Sequence, residues 1–338
     1  QGIQSQDVAA CVKHFALNNQ ECDRLSVDTK VDDKTLFELY LPAFYDALME
    51  GGSYSVMGAY NKYDGEFCCE NATLLKTILR DLWHYDGVTI SDWGGVHNTE
   101  KTALNGVDME MSVTPDFDDY KLANPLLEKV KSKRIDESVI DERIERILTM
   151  MERIKLGDKT RNKGCTNTKE HQQTIQQIAE EGIVLLKNDT THLPLSKETK
   201  KILVLGDNAK RTHAAGGGSA EIKALYDISP LLGMRMVLGG DAQIDWLPGY
   251  YVDNEKHVAG EVDWQAESLD VDYTTDRGKE QFDKEIRPIR EKYLQEALDA
   301  CPSYDEVIFI GGLNHAYDVE GFDRPDMTRP YGQNELIE

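Results

Sequence analysis

Over residues 1–155, short apolar runs alternate with stretches whose apolar positions recur at helical spacing. A strand is predicted at residues 9–14, followed by a polar loop at Asn18-Asn19-Gln20-Glu21. Leu36, Tyr40, Phe44 and Leu48 form an i, i+4 row, which Pro42 is expected to split into two helices. A second strand is predicted at residues 54–60. Asn71 then stands where it would cap an amphipathic helix carrying Leu74, Leu75, Ile78, Leu79 and Leu82. The run Gly87-Val88-Thr89-Ile90-Ser91 reads as a strand and ends on Asp92. A helix around residues 100–104, a short strand at 107–111 and a helix with Ile140, Ile144, Ile147, Met151 and Ile154 complete this half. Repeated strand–helix alternation predicts parallel strands, because each crossover returns the chain to the same sheet end.

Residues 156–168 are polar and aperiodic and read as a linker. Beyond them, residues 183–186, 201–205 and 306–310 read as buried strands of a second α/β domain, with a helix at 281–300 before the last strand. The acidic, aromatic stretch 241–278 has little period and is expected to be a surface insertion. The chain stops at Leu336-Ile337-Glu338 inside a helical pattern, so the second domain is expected to be incomplete.

Composition narrows the partners. The 338 residues are 40% hydrophobic and carry a net charge of −23, from 38 basic and 61 acidic side chains. A nucleic-acid backbone or an anionic membrane needs basic patches, so neither is expected as a partner. A neutral ligand fits better, and a homo-oligomer is compatible with the sequence. No run approaches the roughly 18 apolar residues of a membrane span. The chain opens on Gln1 without an initiator methionine, so this start is expected not to be the natural one. Periplasmic, secreted and cytoplasmic locations all stay open. The six cysteines, Cys11, Cys22, Cys68, Cys69, Cys165 and Cys301, show no CxxC spacing, and no metal site is expected. Reduced thiols are the default, with a Cys22–Cys68 or Cys22–Cys69 bridge as the alternative.

Four stretches could carry chemistry. A charge at the end of a buried strand is unusual, and the C-terminal strand ends of a β/α barrel are where catalytic groups sit. Asp92 beside Trp93 therefore suggests sugar chemistry, the indole offering an apolar face to a pyranose; an aspartate capping the next helix explains the stretch equally well. Lys13-His14 supplies two donors at one strand end, suited to a hydroxyl-rich ligand, or else a surface pair. Met57 and Tyr60 near the next strand end suit either a core or a binding wall. Gly216-Gly217-Gly218-Ser219 lacks the ending of a phosphate loop and reads as a tight loop. Asp318, Glu320 and Asp323 form either a solvated loop or a source of an acid/base partner for Asp92.

Set side by side, these pieces resemble glycoside hydrolase family 3, of the β-glucosidase type. The matching stretches are Lys13-His14-Phe15-Ala16-Leu17-Asn18-Asn19-Gln20-Glu21, Met57-Gly58-Ala59-Tyr60-Asn61, Ser91-Asp92-Trp93-Gly94 and Gly106-Val107-Asp108-Met109-Glu110-Met111. In the second half they are Gly182-Ile183-Val184-Leu185-Leu186-Lys187-Asn188, Leu193-Pro194-Leu195 and Glu320-Gly321-Phe322-Asp323-Arg324. They follow the family's order over nearly the whole chain.

The resemblance implies an α/β fold: the C-terminal part of a (β/α)8 TIM-like barrel at residues 1–155, the linker 156–168, and an incomplete α/β sandwich domain at 169–338. It implies a retaining, exo-acting β-glucosidase that hydrolyses terminal non-reducing β-D-glucosyl residues of cello-oligosaccharides and aryl β-glucosides. Asp92 would be the nucleophile. Lys13, His14, Met57, Tyr60 and Trp93 would bind the sugar. Glu320, before a Gly-aromatic pair, would be the acid/base, with Asp318 and Asp323 as rivals. No metal or organic cofactor is implied. The family's barrel begins before Gln1, so the chain is expected to be a partial sequence whose distal sugar-binding residues lie elsewhere. A β-xylosidase or dual glucosidase/xylosidase is the alternative within the family. A carbohydrate-binding homologue without catalysis is the alternative from another class.

Overall fold

The computed structural model describes residues 1–161, 163–214, 218–252, 280, 282–315, 317–318, 320–324 and 326–338. They form two units, Gln1–Thr166 and Asn167–Glu338. The first unit holds strands β1 (Cys11–Phe15), β2 (Asp28–Thr29), β3 (Ser55–Gly58), β4 (Lys62–Tyr63), β5 (Glu66–Phe67) and β6 (Val88–Ile90). β1, β3 and β6 lie side by side in that order, all parallel, with Val12 opposite Val56 and Met57 opposite Ile90. β2, β4 and β5 make a small separate sheet. Alternating strand and helix thus yields the parallel pairing the sequence pattern predicts.

Helical elements cover the sheet with their apolar faces. α1 occupies residues 33–50, α-helical at Asp33–Thr35 and Leu41–Tyr45 and π-helical between and after them. Pro42 does not split it as expected. The proline lies inside this continuous run, and the π-helical turns before and after it accommodate the missing N–H. α2 (Thr73–Leu82) is a π-helix capped by Asn71, whose Oδ1 accepts Leu74 N at 3.0 Å. Leu74, Leu75, Ile78 and Leu79 are buried, each contributing about 1.5–3 kcal/mol of apolar burial. Leu82, expected on the same face, lies outside it and is 57% exposed. Phe15 packs edge-on to Phe44, with ring centres 5.1 Å apart, and joins β1 to α1.

After β6 come α3 (Thr99–Asn105), α4 (Asn124–Lys131) and α5 (Ser138–Arg153). The strand expected at 107–111 is reduced to one parallel bridge, Ile90 to Met109. A side chain has taken over part of the ladder. Asp108 Oδ2 accepts the backbone N–H of Thr89 at 2.8 Å, while Asp108 N donates to Thr89 O at 2.8 Å. The same carboxylate receives Arg80 Nη2 at 3.0 Å and Arg146 Nε at 2.8 Å. Arg80 also donates to the carbonyls of Tyr85 and Gly87 and to Thr89 Oγ1. On α5 the isoleucine row is only partly buried: Ile140 packs against Leu126 and Ile135, Ile144 is 47% exposed, and Arg143 points inward to Val107 O at 2.8 Å. Arg143 also donates to the carbonyls of Thr102 and Ala103 near the end of α3, so backbone acceptors draw it inward.

In the second unit, α6 (Lys169–Gly182), β7 (Lys201–Leu205), α7 (Pro230–Leu238), β8 (Gln243–Leu247), α8 (Arg287–Ala300), β9 (Glu306–Phe309) and α9 (Gln333–Ile337) follow in order. β7 is central, parallel to β8 on one side and β9 on the other. Ile202 and Val204 pack with Leu231 and Ile244, whereas Leu203 and Leu205 pack with Ala297. Both faces are covered, which is why the strand reads as an unbroken apolar run. β8 lies within the stretch expected to be an insertion, a correction explained by its polar alternate positions. Residues 253–278 of that stretch lie outside the described residues. Residues 183–186 form no strand. Ile183, Val184, Leu185 and Leu186 are 63–91% exposed, and no strand among the described residues offers them a ladder.

All six thiols are free, so the Cys22 bridge is not formed. Burial pushes the Cys68 thiol up to about 12 and raises that of Cys69 as well. Both should resist iodoacetamide at about pH 8 while exposed Cys22 and Cys165 react, as peptide mapping would show. The unfolded thiols ionise near roughly pH 8.5 and the folded ones do not, so this contribution to stability falls as pH rises through that range. Alanine at Asp108 should lower the unfolding free energy by about 3–5 kcal/mol in urea titrations, because two guanidinium groups lose their shared anion. Equal stability of Asp108→Ala and the parent would contradict that reading.

Candidate active site

Three parallel strands end side by side in the first unit, and each carries a residue singled out from the sequence. Asp92 follows β6 after Ser91, which is fully buried and binds Met111 N through its Oγ at 2.9 Å. That bond and Ser91 N to Met109 O, at 2.9 Å, hold the chain just before the carboxylate. Asp92 is 5% exposed. Its Oδ1 accepts the backbone N–H of Trp93 at 2.8 Å, and its carbonyl accepts Gly95 N at 3.0 Å. Oδ2 lies 3.4 Å from His14 Nε2, an ion-pair distance when the imidazole is protonated. Asp92 therefore does not cap α3; Asn98 does, accepting Lys101 N at 3.1 Å.

The other predicted residues are arranged unequally around it. Half-buried Met57 is on β3, opposite Ile90 of β6. Tyr60 is buried, with the Arg24 guanidinium 5.2 Å from its ring centre. Trp93 is 46% exposed and leaves indole surface open to a ligand. Lys13 is exposed and forms no ion pair among the described residues, so the polar neighbours at Asp92 are His14 and Trp93 N rather than Lys13.

Within the second unit, half-buried Glu320 accepts the backbone N–H of Ser219 through Oε2 at 2.6 Å. Gly218 begins the 3-10 turn Gly218–Ala220, and a Cβ added to it would lie 2.6 Å from Glu320 Cβ. The glycine also has φ of +57°, so it is required twice over at this position. Residues 215–217 of the glycine run lie outside the described residues. Exposed Asp318 pairs with Arg324 Nε at 3.7 Å. Nearby rings of His213 and His315 meet edge to face at 5.4 Å, and burial, reinforced by His315, pushes the His213 imidazole below its usual range.

Sequence reading missed three features of these sites. Arg24 beside Tyr60 and Ser219 on Glu320 come from distant segments, and no local pattern marks either contact. The third is Glu70, a buried carboxylate that accepts backbone N–H groups of His97 and Asn98. Among the described residues, no group of three His, Cys, Asp or Glu side chains is placed to hold a metal ion. No described helix is long and apolar enough to cross a membrane.

Residues 1–150 match the Glycosyl hydrolase family 3 N terminal domain, and residues 183–338 match the Glycosyl hydrolase family 3 C-terminal domain. The chain is 37% identical over 355 aligned residues to beta-glucosidase BoGH3A of Bacteroides ovatus, covering all of this chain and 44% of that protein. The crystal structure of a Bifidobacterium adolescentis GH3 beta-glucosidase superposes with a TM-score of 0.76 at 27% identity, over 99% of this chain and 43% of that one. DesR, a beta-glucosidase from Streptomyces venezuelae solved with D-glucose, gives a TM-score of 0.67 at 32% identity, over 74% of this chain and 33% of that one. The chain thus spans less than half the length of each of these proteins. On its sequence and its α/β fold, the chain belongs to glycosyl hydrolase family 3.

Proposed function

We propose that the protein is a retaining, exo-acting β-glucosidase that releases terminal β-D-glucosyl residues from cello-oligosaccharides and aryl β-glucosides. In this reading residues 1–155 belong to a (β/α)8 barrel and residues 169–338 to an α/β sandwich domain, joined by 156–168. The observation that carries it is the buried Asp92 carboxylate, fixed at one oxygen by Trp93 N–H, with the other beside His14 and a half-exposed indole. Beta-glucosidase BoGH3A and the glucose-bound DesR support the substrate class.

The chemistry follows from the two carboxyl groups. Asp92 forms a bond to the anomeric carbon through the oxygen beside His14. The bond to the leaving oxygen breaks as Glu320 delivers a proton to it. A water then attacks the same carbon, giving its proton to Glu320 and releasing Asp92, so configuration is retained. Retaining glycosidases in general use a pair of carboxyl groups about 5–5.5 Å apart. Lys13, His14, Met57, Tyr60 and Trp93 are assigned to the sugar, with polar donors at its hydroxyls and the indole against its apolar face. Glu320 is preferred to Asp318 because Asp318 is exposed and paired with Arg324, whereas Glu320 is half-buried against a fixed backbone donor.

In the full-length protein, Asp92→Asn should lower kcat on an aryl β-glucoside by at least about a thousandfold; near-normal turnover would refute the nucleophile assignment. Glu320→Ala should be rescued by azide on a substrate with an activated leaving group, yielding a β-glucosyl azide. If Asp318→Ala shows that rescue and Glu320→Ala does not, the acid/base role belongs to Asp318.

A further inference from the structure

Glu70 is a buried carboxylate that the proposed chemistry leaves unused. It is 4% exposed and ends the 3-10 turn Cys68–Glu70. Its Oε1 accepts two backbone N–H groups, from His97 at 2.5 Å and from Asn98. Its own carbonyl accepts Asn105 Nδ2 at 2.6 Å. One residue thus holds α3 at both ends. The preceding residue, Cys69, meets the chain where the turn after β6 begins. The Cys69 sulfur lies against the backbone N–H of Asp92 and 3.6 Å from Ala59 O, and a Cβ added at Gly95 would be 3.4 Å from it.

Residues 92–98 are therefore gripped where they begin and where they end by two consecutive residues of another loop. A buried carboxylate that satisfies two main-chain donors makes charge-assisted bonds, and its loss leaves both donors without partners. One oxygen of the Asp92 side chain is held by Trp93 N and the Asp92 carbonyl by Gly95 N, both donors inside the gripped segment. Movement of that segment would rotate the carboxylate.

We infer that Glu70 is a positioning residue for Asp92, holding the turn after β6 so that the carboxylate is presented in one orientation. This rests on the reading of Asp92 as nucleophile. Glu70→Gln keeps an acceptor oxygen in place, Glu70→Asp keeps the charge but falls one methylene short, and Glu70→Ala removes both. The full-length variants are to be compared in their rate of covalent trapping by a 2-deoxy-2-fluoro-β-glucoside with an activated leaving group. In Glu70→Ala and Glu70→Asp the trapping rate should fall about 10–100-fold, with the half-saturating concentration changed less than about twofold. Glu70→Gln should stay within about threefold of the parent.

Hydrogen exchange supplies the readout that does not depend on activity. Amides of residues 93–98 should exchange faster in Glu70→Ala and Glu70→Asp, while those of β3 and α2 stay unchanged. Unchanged trapping in a folded Glu70→Asp variant, or unchanged exchange at 93–98, overturns the inference. If Asp92→Asn is inactive and Glu70→Asp traps normally, only the positioning role fails. If Asp92→Asn traps as the parent does, the nucleophile reading fails and takes this role with it.

Discussion

The Asp108 carboxylate is the constraint on which the first unit's geometry depends. Its side chain has no exposed surface, and it binds two arginines and a strand N–H at once. One anion among several buried donors is satisfied only in one arrangement, so the pairing of β6 with residues 107–109 has a single register. Burial lowers the proton affinity of Arg80, and the charge of Asp108 opposes that effect. A charged cluster of this kind adds little net stability over an apolar one. Its effect is to disfavour alternative pairings, since a slip takes Asp108 away from both guanidinium groups.

That register is carried along the chain to the candidate site. Thr89 of β6, pinned by Asp108, is three residues before Asp92, and Ser91 between them is tied to Met109 and Met111. The position of the Asp92 carboxylate is thus set from below by the arginine cluster and from the far side by Glu70. Parallel strands add the rest. With β1, β3 and β6 parallel, His14, Met57 and Asp92 come to the same end of the sheet although they are far apart in sequence, the β1–β3 register shifting between Val12 and Phe15 where His14 lies.

The second unit follows simpler rules. β7 alternates its side chains between two apolar clusters and so fixes the sheet plane. Glu320 leaves the loop after β9 and meets the turn at Gly218 through one backbone bond, with no space for a side chain at that glycine. In both units one oxygen of a carboxylate accepts a backbone N–H, from Trp93 on Asp92 and from Ser219 on Glu320. Backbone donors have less conformational freedom than side-chain donors, so the orientation costs less entropy to hold.

What the sequence determined by itself was whatever depends on local pattern. The parallel alternation, the cap at Asn71, the apolar row of α2 and the two-sided burial of β7 follow from local signals: helical spacing, a capping residue type and a continuous apolar run. The candidates Asp92, His14, Met57 and Trp93 were legible because strand ends and motif order mark them. Tertiary structure decided the matters in which one group competes with another at long range. Asp108 displaced a strand that the pattern of 107–111 predicted, and Arg143 and Arg146 turned inward beside the isoleucine row of α5. Residues 183–186 have every mark of a strand and are not one, since a ladder needs a neighbour and their own composition cannot supply it. Glu70 and Ser219 carry no sequence signal for the same reason: their meaning lies in which backbone N–H groups the fold brings to them.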